Sequence, residues 1–244
     1  MIRIAAVGDV HMDRDVLGRF RPALAGVGDR ADVLLLAGDL TRHGTESEAR
    51  CVAAEFGGLD VPVIAVLGNH DHHCDQVPQV VKVLTEAGIS VLEGDGLVVD
   101  CPGGRLGVAG VKGFGGGFAG RCASRFGEPE MKAFVGTTAD AADRLRAALL
   151  GLECDVRVAL THYSPVPETL AGEPLEIYPF LGSYLLAEAI DAAATDLALH
   201  GHAHFGSERG TTPGGVRVRN VAHPVIKQAY SVFSLAGSVV QSDR

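Results

Sequence analysis

Three apolar runs in the first seventy residues each end on polar side chains, and their spacing restricts the chain to few folds. Residues 2–7 lead into Gly8-Asp9-Val10-His11, residues 33–37 into Gly38-Asp39, and residues 61–67 into Gly68-Asn69-His70-Asp71. Asp9, Asp39 and Asn69 stand thirty residues apart, about the length of one strand–helix–strand unit. Three strands of one parallel sheet would deliver these groups to the carboxyl edge, where open α/β sheets bind ligands. Apolar runs also precede Thr161-His162 and His200-Gly201-His202-Ala203-His204. Oxygen and nitrogen donors from five places in the chain are thus expected at one edge, the set that a pair of metal ions requires.

Between these runs the pattern alternates. A helix is expected over residues 15–24 and a second from Thr45, which has Glu48 three residues later in capping-box form, to about Phe56 before Gly57-Gly58. A third runs through 80–87 to Gly88. From Ile89 the period shortens: runs at 90–92, 97–101 and 105–111, broken by Glu93-Gly94-Asp95-Gly96 and Pro102-Gly103-Gly104, read as an antiparallel meander. Helices over 139–150 and 183–194 and strands over 156–160, 197–199, 216–221 and 230–235 complete the reading. Two stretches lack a period and are expected to be irregular loops at the rim of the site, 113–134 and 162–182. Nothing divides the chain, so one domain over 1–244 is the economical reading.

Composition removes several alternatives. A formal net charge of −9 argues against tracking an extended nucleic-acid backbone. The five cysteines are scattered, with no C-x-x-C pair, and read as free thiols of a reducing compartment. There is no signal-type segment and no apolar run long enough to cross a membrane, so the expectation is a cytoplasmic protein. Oligomeric state has no signature here.

Each donor has a bland reading on its own. A Gly-Asp pair after a strand is a common turn, and a lone His162 is more often a hydrogen-bonded loop or core residue. Asp9 and His11, at i and i+2, would leave a strand end on one face; so would His202 and His204, but His200 shares their parity and periodicity leaves that trio unresolved. In Gly68-Asn69-His70-Asp71, Asn69 offers a neutral carbonyl oxygen and His70 a proton donor of tunable pKa. Asp71 is placed to orient or polarise that imidazole. His72 and His73 read as surface or supporting groups, and His43 and His223 as structural or exposed. Their joint occurrence at successive strand ends outweighs the separate bland readings.

Taken together, Asp9-Val10-His11, Gly38-Asp39, Gly68-Asn69-His70-Asp71, His162 and Gly201-His202-Ala203-His204 resemble the five-part signature of the calcineurin-like metallophosphoesterases. The match runs in order from residue 9 to 204 and lacks no member. The resemblance implies an α/β fold, a four-layer αββα sandwich of two mixed β-sheets flanked by helices. It implies two divalent or mixed-valence metal ions (Mn, Fe, Zn or Co), one on Asp9, His11 and His204, the other on Asn69, His162 and His202, with Asp39 bridging. His70 would be the catalytic acid, and His200 is left without a role. A hydroxide between the metals would be the nucleophile, since coordination lowers the pKa of water from 15.7 to roughly 7 in favourable cases.

The expected activity is hydrolysis of a small phosphoester, most simply a nucleotide-like or cyclic phosphodiester. A phosphomonoesterase acting on nucleotides or proteins is the near alternative, and a non-catalytic binding scaffold the distant one. Selectivity is expected from the two rim stretches. The first brings Phe114, Phe118, Phe126, Arg121 and Arg125, and the second Tyr163, Tyr178 and Phe180, as an aromatic platform.

Overall fold

The structure, a computed structural model, describes residues 1–236 of the 244. Its strands are β1 (Ile2–Val7), β2 (Val33–Ala37), β3 (Val63–Val66), β4 (Ile89–Val91), β5 (Asp95–Cys101), β6 (Gly104–Val111), β7 (Gly117–Phe118), β8 (Arg121–Cys122), β9 (Val156–Thr161), β10 (Leu197–His200), β11 (Arg209–Thr211), β12 (Arg217–Asn220) and β13 (Ser231–Leu235). Its α-helices are α1 (Arg21–Leu24), α2 (Glu46–Phe56), α3 (Val77–Glu86), α4 (Pro129–Leu150), α5 (Tyr178–Leu181), α6 (Tyr184–Asp191) and α7 (His223–Ile226).

Two mixed sheets hold most of the strands. The first has the order β13-β1-β2-β3-β4, parallel except for β13, and the second the order β11-β12-β10-β9-β6-β5, parallel across its four central strands. Ile2, Ile4, Leu35 and Ile64 of the first sheet meet Leu106, Val158, Leu160 and Leu199 of the second in a dry layer. The opposite face of the first sheet packs on Leu24, Val52, Phe56 and Leu84 of α1, α2 and α3. That of the second packs on Leu145, Leu149, Leu186 and Ile190 of α4 and α6. Strands buried on both faces read as unbroken apolar runs, which is why β1, β2 and β3 are legible in the sequence. The layers therefore run helix, sheet, sheet, helix, as expected.

The boundaries of α2 follow from its caps. Thr45 Oγ accepts the Glu48 backbone N–H while the Glu48 carboxylate accepts that of Thr45, a complete capping box. Three expectations need correction. Residues 15–24 do not form one helix: a 3-10 turn over Arg14–Val16 and the single turn α1 flank Gly18, whose φ is +84°. The buried Glu55 carboxylate of α2 causes the break, because it accepts the backbone N–H groups of Gly18, Phe20 and Arg21 that a continuous helix would commit elsewhere.

Residues 89–111 are not a meander. Strand β4 pairs in parallel with β3, whereas β5 and β6 form a hairpin of the second sheet. The crossing is made at Leu92, whose N–H bonds to Ala65 O at 2.8 Å, and Gly94, whose N–H bonds to Gly110 O at 2.8 Å. Turn residues at 93–96 mark a bend without stating which sheet continues. Finally, α4 begins at Pro129, ten residues before the expected start, so the irregular rim stretch ends there and not at 134. Within that stretch β7 and β8 form a small hairpin of their own.

Candidate metal centre

The loops after β1, β2, β3, β9 and β10 converge on the carboxyl edge between the sheets. Backbone hydrogen bonds knit them together: Asp9 N to Gly38 O (2.9 Å), His11 N to Asp39 O (3.0 Å), Met12 N to Leu40 O (2.8 Å) and Gly201 N to His162 O (3.2 Å). Asp9 and Asp39 are buried, and so is His162. All seven candidate ligands meet at this edge, although strand alternation does not bring them there. Asp9 (φ 55°), His11 (43°), Asp39 (49°) and His202 (71°) are four of the seven non-glycine residues with left-handed backbone among the described residues. Such conformations cost on the order of 1–3 kcal/mol each and persist where the surroundings over-determine them, as at active sites. The i, i+2 argument for Asp9 and His11 thus reaches the right edge for the wrong reason.

Two donor clusters result. Asp9, His11, Asp39 and His204 present ligand atoms within 4.8 Å of one another, as do Asp39, His162 and His202. Asp39 belongs to both. Its Oδ1 lies 3.4 Å from His162 Nε2 and its Oδ2 3.9 Å from the Nε2 atoms of His11 and His70. In the first cluster His204 Nε2 is 2.9 Å from Asp9 Oδ1 and 3.5 Å from His11 Nε2. The second gains Asn69, whose Oδ1 is 2.9 Å from His162 Nε2.

That last contact tests whether the residues suit a cation. His162 Nδ1 faces the Ala37 carbonyl at 2.9 Å, and a carbonyl only accepts, so Nδ1 carries the proton. In the neutral ring Nε2 is then a lone pair, aimed at the oxygens of Asn69 and Asp39. Three acceptors converging without a donor among them are mutually repulsive until a cation separates them. The set is O and N without thiolate, which suits Mn, Fe, Co or Zn.

The titration of the cluster agrees with this. Burial brings His11 down to about 4 and His202 to about 3, so both rings are neutral near pH 7. Burial raises Asp39 to about 6, with the Asp9 charge adding to it and His162 opposing. For Asp9, burial also pushes upward, but the hydrogen bond from His204 and the nearby imidazoles carry the net shift below the usual carboxylate value. His204 is correspondingly raised, chiefly by that hydrogen bond.

Two glycines are required here. Gly38 has a φ of +82° and lies flat against the His162 ring, and Gly68 abuts the Asp39 backbone and carboxylate; a Cβ at either would collide.

The expected pairing of Asp71 with the His70 ring does not form. The buried Asp71 carboxylate accepts the N–H groups of Leu40 (3.2 Å), Thr41 (2.8 Å) and Gly68 (2.7 Å) and the Thr41 hydroxyl (2.6 Å). With four donors it is fully committed to holding the loops after β2 and β3 together. The His70 ring is held by Arg42 O, 2.7 Å from Nδ1. His70 lies outside both clusters, half exposed, with its ring 4.5 Å from that of His11. His72 and His73 are exposed, as expected, and His43 bonds to Glu48 at 2.8 Å. His200 is buried, with Nδ1 donating to Gly201 O (2.7 Å) and Nε2 accepting from the Thr169 hydroxyl (2.8 Å).

The rim is aromatic but composed differently from expectation. Phe118 is buried, Phe126 points to solvent, and Arg125 lies beside Gly136 of α4. Instead a chain of rings leads outward from His202: Tyr163 at 4.3 Å, Phe114 5.7 Å from Tyr163, Phe134 5.1 Å from Phe114, and Phe180 6.2 Å from Phe134. Sequence reasoning misses Phe134, which the early start of α4 at Pro129 sets against Phe114. It misses Lys112 too, whose only signal is that it closes the apolar run of β6 as His162 closes that of β9.

The family model for calcineurin-like phosphoesterases matches residues 2–206. The chain belongs to that family. It is accordingly a phosphoester hydrolase of a family that typically uses divalent metals, and its two clusters are able to bind them. No curated protein matches the sequence. Solved structures share the fold. The phosphopantetheinyl hydrolase PptH of Mycobacterium tuberculosis is 17% identical with a TM-score of 0.66, over 90% of this chain and 88% of that one. TT1561 of Thermus thermophilus is 19% identical with a TM-score of 0.57, over 95% and 93%. GAP50, the anchor in the inner membrane complex of Plasmodium, is 12% identical with a TM-score of 0.55, over 91% and 72%. At these identities the likeness is one of fold, and a fold alone carries no activity. Among the described residues no helix is long and apolar enough to cross a membrane.

Proposed function

We propose that this phosphoesterase is a binuclear-metal-dependent phosphodiesterase acting on small nucleotide-like or cyclic esters, with His70 as its general acid. The observation that carries this reading is the sharing of Asp39 between two acceptor clusters while His70 stands beside both and joins neither. Asp9, His11 and His204 would hold one ion and Asn69, His162 and His202 the other, with Asp39, a member of both clusters, available to each. When bound, the ions activate a water molecule at neutral pH and offset the charge that grows on the phosphoryl oxygens.

The chain's own groups do the rest. Neutral imidazoles at His11 and His202 have their lone pairs available, because burial disfavours their protonation. The Asp39 carboxylate would offset repulsion between two dications, which two separate neutral ligands would not. His70, fixed through Nδ1–H by the Arg42 carbonyl, presents Nε2 toward the site; as the imidazolium it gives the Nε2 proton to the departing alkoxide and is left as the neutral ring with its proton on Nδ1. A cleft of about 160 Å³ lined by Arg42, His43, Asn69, His70 and His73 opens beside this residue and would receive the leaving group. Its size suits a small alcohol or sugar.

The test is a panel of phosphomonoesters, linear diesters and cyclic nucleotides assayed with Mn, Fe, Zn and no added metal. Metal-dependent turnover with diesters ahead of monoesters is expected. Preference for monoesters would replace the diesterase reading with a phosphatase one, and turnover in fully chelated protein would remove the metals from the mechanism.

A further inference from the structure

The second sheet's flank of the site carries a cation that the reading above leaves unused. Lys112 directly follows β6, and its carbonyl accepts the backbone N–H groups of His162 (3.0 Å) and Tyr163 (3.1 Å). Its ammonium lies 5.0 Å from the ring centre of Phe114 and 5.2 Å from that of Tyr163, the ring that packs on His202. The side chain is half-buried. An ammonium has three N–H donors; among the described residues Nζ uses one, on Gly113 O at 3.2 Å. Glu93 is engaged elsewhere, accepting the Lys112 backbone N–H at 2.9 Å and the Arg144 guanidinium at 2.7 Å.

Two aromatic faces hold this head group without neutralising it. The carboxylates of Glu93 and Asp39 favour its charged form without accepting a hydrogen bond from Nζ, so the remaining donors of this partly desolvated cation are open to a ligand anion. The position shows which anion can reach them. His70 and its cleft belong to the loops of the first sheet, whereas Lys112, Tyr163 and Phe114 line the second sheet's side, next to His162 and His202. A group seated on Lys112 is therefore part of whatever occupies the site, away from the leaving-group cleft.

We propose that Lys112 is a specificity-determining residue that binds an anionic group of the substrate other than the phosphoryl under attack. The inference rests on the phosphoesterase reading above and narrows it, favouring phosphoesters with a second, neighbouring anion, such as pyrophosphate-linked nucleotides, over simple diesters.

The test measures binding by calorimetry for manganese-supplied wild type, Lys112→Gln and Lys112→Arg. The probes are α,β-methylene-ADP, whose linkage resists hydrolysis, and AMP, which has one phosphate. The wild type is expected to bind the two-phosphate probe more tightly. Lys112→Gln should reduce that preference about tenfold, the equivalent of one charge-assisted hydrogen bond, and Lys112→Arg should restore most of it. An unchanged preference in Lys112→Gln, no recovery in Lys112→Arg, or no binding of the methylene probe by the wild type would each overturn the proposal. Turnover of bis(4-nitrophenyl) phosphate by the wild type is recorded alongside. Its absence counts against the diesterase reading alone, and the calorimetry still decides the role of Lys112.

Discussion

The imidazole of His70 is held by the backbone of Arg42: Nδ1 donates to the Arg42 carbonyl at 2.7 Å, and Nε2 is left facing Asp39 at 3.9 Å. A carbonyl accepts and never donates, so Nδ1 keeps its proton and Nε2 is the nitrogen through which the ring gives or takes one at the site. The ring is oriented toward the site while Asp39 accepts the His70 backbone N–H at 2.8 Å and Asp71 serves other partners.

His70→Ala is expected to lower diester turnover by about 10²–10⁴-fold, the usual worth of a positioned acid, while metal content stays at the wild-type level. Steady-state kinetics and elemental analysis of the same preparation check both halves. Unaltered turnover would remove His70 from the chemistry, and lost metal would make it a ligand.

Asp71 is expected to behave as a structural group. Asp71→Ala strands three buried backbone N–H groups and the Thr41 hydroxyl, at a cost on the order of 4 kcal/mol. Urea denaturation of the metal-free protein measures this. A variant as stable as the wild type but inactive would return Asp71 to the catalytic role read from the sequence.

Asp39→Ala should leave the protein with less than its full complement of metal, because both clusters include that carboxylate. Gly68→Ala should do likewise by steric means, since its Cβ is aimed at Asp39. Elemental analysis after dialysis decides; full metal content in Asp39→Ala would refute the shared position.

His200 predicts a pH dependence. Burial lowers it from the unfolded value near 6.5 to about 4. Between these values the unfolded chain binds the proton and the folded one does not, so stability falls as pH drops from 6.5 to 4 and changes no further below. The difference corresponds to about 3 kcal/mol at most. Stability curves of metal-free wild type and His200→Gln should converge as pH falls through this window. Parallel curves would show that His200 does not bear this penalty.

Much of the architecture is legible in the sequence because it is written locally. Apolar runs of three to seven residues closed by polar side chains, with Gly beside them at all but the end of β9, locate the ends of β1, β2, β3, β9 and β10. The Thr45–Glu48 box locates the start of α2. The parts that sequence reasoning misreads depend on partners far away in the chain. Residues 15–24 have helical composition until the Glu55 carboxylate, from another helix, takes their backbone N–H groups. Leu92 has no mark that distinguishes a hairpin turn from a passage between sheets.

The same division runs through the site. By itself the sequence determined which residue types gather and in what order, because a ligand must be a side chain of particular chemistry and its identity is visible in one dimension. Only the tertiary structure decided how they are held: left-handed backbone at Asp9, His11, Asp39 and His202, a main-chain carbonyl behind His70, and an ammonium at Lys112 resting on Phe114 and Tyr163. Backbone carbonyls carry no side-chain signature, and the partners of Lys112 are set by strand pairing. Those relationships exist only once the chain has folded.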